Sequence, residues 1–122
     1  MKKVFVSLEG VLIDNNGQTR PGSHSFVHSL MGNGAQVFII TTHGMEYARR
    51  LWEKVALPQV TGFMPKNTLL RNDIDFVVDT DPSFMKSYMG VCIQEWNSQS
   101  EGSKDDETLY KILPKLLDYL KS

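Results

Sequence analysis

Val4-Phe5-Val6-Ser7-Leu8-Glu9-Gly10-Val11-Leu12-Ile13-Asp14 is the stretch whose reading decides the fold of this chain. Val4 to Leu8 is an apolar run without polar alternation, the pattern of a short parallel strand covered on both faces. Gly10 turns the chain where that strand ends. Val11 to Thr19 then reads as a small hairpin, with Asn16-Gly17 supplying the turn.

The rest of the chain extends this beginning by alternation. Pro21-Gly22 breaks it, and Ser23 or Ser25 is expected to cap a helix striped by Phe26, Val27, Leu30 and Met31, ended by Gly32 and Gly34. Gln36 to Thr41 is a second strand. Gly44 to Ala56 is a second helix, with Tyr47, Ala48, Leu51, Trp52 and Val55 on one side and Pro58 behind it. Val60 to Phe63 reads as a third strand, Asp73 to Asp79 contains a fourth, and Tyr88 to Trp96 holds a fifth around Val91-Cys92-Ile93. Asn97 to Asp106 is polar and aperiodic, a surface loop. Leu109, Ile112, Leu113, Leu116, Leu117 and Leu120 form a helical stripe. Pro114 interrupts it, which predicts a kink or two short helices in phase.

Strands alternating with helices predict an α/β fold, a three-layer sandwich around a mostly parallel sheet. Ligands in such sheets bind beyond the carboxyl ends of the strands. Ser7, Thr41 and Asp79 all fall at strand ends, so three separate segments are expected to meet in one crevice.

With 122 residues, the chain is expected to fold as a single domain, 1–122. A composition of 41% hydrophobic and 22% charged residues argues against disorder. A net charge of −1 gives no general attraction to nucleic acid. The one cysteine, Cys92, excludes an internal disulfide, and its apolar neighbours predict a buried, inert thiol. The apolar run after the two N-terminal lysines is too short for a signal peptide, and no segment approaches the roughly 20 apolar residues of a membrane span. A soluble, cytoplasmic protein is expected.

The run from Val4 to Asp14 resembles the first motif of the haloacid dehalogenase-like phosphatases, a strand followed by Asp-x-Asp-Gly. In that family the first Asp is the nucleophile and the second the general acid/base; here they are Ser7 and Glu9. Val11-Leu12-Ile13-Asp14 and its hairpin are similar to the family's flap. Phe38-Ile39-Ile40-Thr41-Thr42 resembles the second motif, with Thr41 the phosphate-contacting hydroxyl. Lys66, in Met64-Pro65-Lys66-Asn67, matches the lysine of the third. Phe76-Val77-Val78-Asp79-Thr80-Asp81-Pro82 resembles the fourth, although Thr80 separates acids that are usually adjacent. The resemblance covers roughly residues 3 to 96. It implies a Rossmann-like five-stranded sheet ordered 5-4-1-2-3 and, given the short gaps after the first two motifs, no cap domain.

The exchanged residues bear on the chemistry. A carboxylate nucleophile is ionised at neutral pH, whereas a serine hydroxyl needs a base. Loss of that carboxylate also weakens a magnesium site, which prefers hard anionic oxygens. Glu9 keeps an acid but lengthens it by about 1.5 Å, one carbon–carbon bond, and misplacement on that scale can cost ~100-fold in rate. The resemblance therefore implies catalytic positions at Ser7 and Glu9, which are degenerate, and at Thr41 and Lys66, which match the family's pattern. It implies weak magnesium binding by Asp79, the backbone carbonyl of Glu9 and Asp81, and a phosphorylated ligand or macromolecule as partner. The expected function is a domain without ordinary phosphatase activity that serves binding or regulation.

Two alternatives stand beside it. One is a divergent hydrolase using Ser7 or water with Glu9 or His43 as base. The other is an interaction domain with no retained site. The residues also admit plainer roles: Ser7 as a small strand end, Glu9 as a solvated loop acid, Thr41 and Thr42 as partners of turn backbone. His24 and His28 are spaced to share a helix face but lack a further metal ligand.

Overall fold

The computed structural model describes residues 2–68 and 76–122. The strand that opens the chain, β1 (Lys3–Ser7), is buried from Val4 onward. It pairs in parallel with β2 (Gln36–Thr41) on one side and β4 (Phe76–Asp79) on the other. β3 (Gly62–Pro65) extends the sheet beyond β2, and β5 (Gly90–Cys92) beyond β4. All pairings are parallel, and the order β3-β2-β1-β4-β5 is the expected one read from the other edge. The expected start of β4, Asp73 to Asp75, lies outside the described residues.

Among the described residues four α-helices accompany the strands: α1 (Ser23–Gly32), α2 (Met45–Lys54), α3 (Pro82–Met85) and α4 (Thr108–Lys121). Alternation along the strands divides the core in two. Val4, Val6, Val37, Ile39, Phe76 and Val78 pack with Phe26, Val27 and Leu30 of α1, Ala48 and Trp52 of α2, and Leu109 and Leu116 of α4. Phe5, Ile40 and Val77 face the other way, against Phe84 and Met85 of α3, Tyr88, Phe38 and Met64. The division follows from right-handed crossovers. The connections β1 to β2 and β2 to β3 step in one direction and lay α1 and α2 on one face. The step from β4 to β5 runs the opposite way and lays α3 on the other.

Several local expectations need correction. α1 starts from Gly22, which is left-handed, and no side chain caps it. The Ser23 hydroxyl instead donates to the carbonyls of Leu12 and Arg20, binding the helix to the preceding loop. α4 runs as one helix through Pro114, so of the two outcomes expected there the pair of short helices is not the one formed. Pro114 cannot donate to the carbonyl of Tyr110, but Tyr110 is exposed, so water can take that bond. α3 was not expected, although Asp81-Pro82 is an N-cap followed by proline in the first turn. Cys92 is exposed rather than buried. It lies on edge strand β5, which has a neighbour on one side only, so an apolar run there is not covered as a central strand would be.

The hairpin after β1 is small. Ile13 and Thr19 form an antiparallel bridge, and the Gly17 N–H donates to the Asp14 carbonyl, closing the turn. Gly17 alone takes positive φ, with both asparagines before it in ordinary conformations, so the turn is not the primed type that Asn-Gly suggested. Val11, Leu12 and Ile13 are buried in the larger core, which anchors the hairpin. The polar loop behind it is also tied down. Asp14 accepts hydrogen bonds from the Ser98 N–H and hydroxyl, and buried Arg20 forms a two-point pair with Asp106 at 2.9 and 3.1 Å.

Candidate functional site

The strand order reverses its direction of growth between β1 and β4, and the crevice of such a sheet opens at the carboxyl ends of these two strands. Ser7 ends β1 and Asp79 ends β4. Val6 pairs with Val78, so Ser7 and Asp79 stand one step beyond the last paired residues. They follow Phe5 and Val77 by two positions, and those residues share the smaller core cluster. By the two-residue alternation of strands, Ser7 and Asp79 therefore face the same side. Both are buried, at 4% and 1% exposure.

Asp79 is held in two ways. Its Oδ1 accepts the N–H groups of Thr80 (2.6 Å) and Asp81 (3.1 Å), a turn that locks the carboxylate against its own backbone. Its Oδ2 lies 3.0 Å from Lys66 Nζ. That contact is an ion pair rather than an aligned hydrogen bond, because Oδ2 has no hydrogen-bond donor among the described residues. Lys66, at the start of a short 3-10 turn after β3, also places its ammonium 4.5 Å from the centre of the Phe84 ring. Lysine at this position thus reaches the crevice.

Glu9 makes a separate network. Gly10, at φ +82°, turns the chain just beyond it, a conformation that suits glycine. The Glu9 Oε2 accepts the Thr41 hydroxyl at 2.7 Å, and Oε1 accepts the Thr42 N–H at 3.1 Å and the Thr42 hydroxyl at 3.4 Å. Thr41 Oγ1 accepts the His43 N–H at 3.1 Å, which leaves its own proton for Glu9. His43 Nδ1 stands 3.5 Å from Glu9 Oε2 and 3.1 Å from the Thr42 hydroxyl. Among the described residues His43 makes no hydrogen bond to Ser7, so a Ser7–His43 dyad is not formed.

Beside these groups opens a cavity of about 750 Å³, lined by Thr41, Thr42, Lys66, Asp81, Phe84 and Tyr88 among others. Ser7, Glu9 and Asp79 are not among its lining residues. The Asp81 carboxylate caps α3, accepting the N–H groups of Ser83 and Phe84 at 3.0 and 3.4 Å.

The described residues fall short of a resident magnesium site. Among them Asp79 Oδ2 is the one buried carboxylate oxygen without a donor, and it already faces an ammonium. The Glu9 carboxylate is turned onto Thr41 and Thr42, and that of Asp81 onto α3. Among the described residues no three His, Cys, Asp or Glu side chains gather as a metal centre. His24 and His28 stack on each other, their rings 6.3 Å apart, at the exposed side of α1.

Thr42, read from the sequence as a partner of turn backbone, also binds the Glu9 carboxylate. Its contribution is partly a backbone N–H, and a backbone donor has no signature in a sequence. Phe84 and Tyr88, the apolar wall of the cavity, carry no signal beyond their apolar character. No family model matches the chain, and no curated protein matches it. Among the described residues no helix is long and apolar enough to cross a membrane.

Proposed function

We propose that this chain is a capless haloacid dehalogenase-like domain that has lost ordinary phosphatase chemistry and serves as a binding or regulatory module for a phosphorylated ligand or macromolecule. One observation carries this reading. Ser7 occupies the end of the central strand, facing the same side as buried Asp79, which pairs with half-buried Lys66, where the resembled enzymes require an ionised nucleophile. The frame of the site is kept and the attacking carboxylate is absent from it. A neutral hydroxyl without a hydrogen-bonded base is a poor substitute. Glu9, the residue matched to the acid/base, spends its carboxylate on Thr41 and Thr42. The single cysteine and the lack of a long apolar segment accord with a cytoplasmic setting.

The test is a screen of phosphate esters in the presence of magnesium. The expected result is no turnover above that of a Ser7→Ala variant. Robust wild-type turnover abolished by Ser7→Ala would overturn the reading in favour of a serine-dependent hydrolase.

A further inference from the structure

We infer that Glu9 is an internal stopper, its carboxylate occupying an oxyanion cradle that would otherwise take a phosphate group. The inference rests on the functional reading above and adds a regulation to it. Three donors from the end of β2 converge on one carboxylate: the Thr41 hydroxyl at 2.7 Å, the Thr42 N–H at 3.1 Å and the Thr42 hydroxyl at 3.4 Å. Hydrogen bonds to an ionised acceptor are the strong kind, and these serve both oxygens of the group. The Thr41 hydroxyl is oriented for the task, since the His43 N–H occupies one of its lone pairs.

The surroundings distinguish this from a loop acid satisfying a turn. Thr41 and Thr42 also line the cavity of about 750 Å³, whose wall includes Lys66, the cation paired with Asp79. An oxyanion entering that cavity meets a cation and the same three donors, but finds a carboxylate already on them. The occupant comes from the neighbouring strand, two residues beyond the end of β1, and so competes at a high effective concentration. The length of glutamate matters here. Aspartate would stop about 1.5 Å short, one carbon–carbon bond, and would not serve both threonines from the same backbone. The exchange that removes a correctly placed acid/base thus also closes the cradle. A ligand bearing a phosphate monoester must displace Glu9, and anything that draws Glu9 away opens the site.

The probe is inorganic phosphate, titrated by calorimetry against wild type, Glu9→Ala, Glu9→Gln and the double variant Glu9→Ala/Thr41→Val at constant ionic strength. Removing a tethered competitor and a like charge from the donors should tighten phosphate binding at least ~10-fold in Glu9→Ala. Glu9→Gln keeps the side chain's volume and should shift affinity in the same direction; it carries the test if Glu9→Ala does not fold. Adding Thr41→Val should cancel the gain. Folded Glu9 variants that bind phosphate no more tightly than wild type would overturn the inference, as would a gain that survives Thr41→Val. Neither result touches the non-catalytic reading, which falls only if the wild-type protein turns over phosphate esters.

Discussion

Lys66 Nζ lies 3.0 Å from Asp79 Oδ2, although the strands that carry these residues to the crevice, β3 and β4, are separated in the sheet by β2 and β1. The pair spans the switch point of the sheet. It compensates a carboxylate that is almost wholly buried at the end of an apolar strand. Removing the lysine leaves that charge without its cation. Lys66→Met is expected to destabilise the protein by about 3 kcal/mol, the usual cost of breaking a buried pair from one side. Converting Asp79 to Asn in the same background should recover part of the loss. Chemical denaturation of the three proteins measures both steps. A Lys66→Met variant as stable as wild type would show that the pair does not compensate Asp79.

The proposed loss of phosphatase chemistry can be probed by reversing it. Ser7→Asp with Glu9→Asp returns an ionised side chain to the end of β1 and shortens the acid that sits on Thr41 and Thr42. Magnesium-dependent hydrolysis of a generic phosphate ester should rise measurably above a wild-type level near zero. Full recovery is not expected, because Thr80 separates Asp79 from Asp81 and the Asp81 carboxylate caps α3. A well-folded double variant with neither hydrolysis nor magnesium binding would favour an interaction domain whose site has decayed further.

Magnesium binding by the wild-type protein should be millimolar or poorer, no more favourable than about −4 kcal/mol. The reason lies in the donors: Asp79 is paired with Lys66, and the carboxylates of Glu9 and Asp81 are engaged elsewhere. Calorimetric titration checks this. Micromolar binding would mean that one of these acids exchanges its protein partners for the metal.

Acid should loosen the union of the hairpin with the C-terminal loop. The Arg20 guanidinium beside Asp106 holds its carboxyl below the usual carboxylate range; burial works against this, and the Thr108 N–H and hydroxyl add to the lowering. For Asp14, burial pushes the other way, but the hydrogen bonds from Ser98, Gln18 and Asn16 outweigh it and the carboxyl is also lowered. A carboxyl whose folded pKa is depressed binds protons more readily in the unfolded chain. Its contribution is complete above the unfolded value of about 3.9 and is lost as pH falls from there through the folded value. The Tm of the wild type should therefore drop on acidification below about pH 4, at the onset set by the unfolded carboxyl. Asp106→Asn should have a lower Tm at neutral pH and a shallower acid slope. Equal slopes for the two proteins would remove Asp106 from this account.

Much of the architecture was legible before any coordinates. Val4 to Leu8, Gln36 to Thr41 and a run within Asp73 to Asp79 read as strands because continuous apolar runs suit strands buried on both faces, and the central position of β1, β2 and β4 in the sheet supplies that environment. At the edge the same reasoning misjudged Cys92, since β5 lacks a second neighbour. The short α3 is encoded by Asp81-Pro82, an N-cap followed by proline, a signal that two residues carry without any helical stripe behind them.

What the sequence determined by itself is the alternation of strands and helices and the polar residues at strand ends: apolar runs stop where the sheet meets the crevice, so Ser7, Thr41 and Asp79 declare their places. Tertiary structure alone decided what those residues touch. That Lys66 crosses to Asp79, that Glu9 rests on Thr41 and Thr42, and that His43 turns to Glu9 rather than Ser7 depend on distances of a few ångströms between segments far apart in the chain. They depend also on a backbone N–H whose direction no side chain encodes. Local pattern specifies elements because it follows the period of helix and strand. Partners in a crevice are chosen by the packing of the whole sheet.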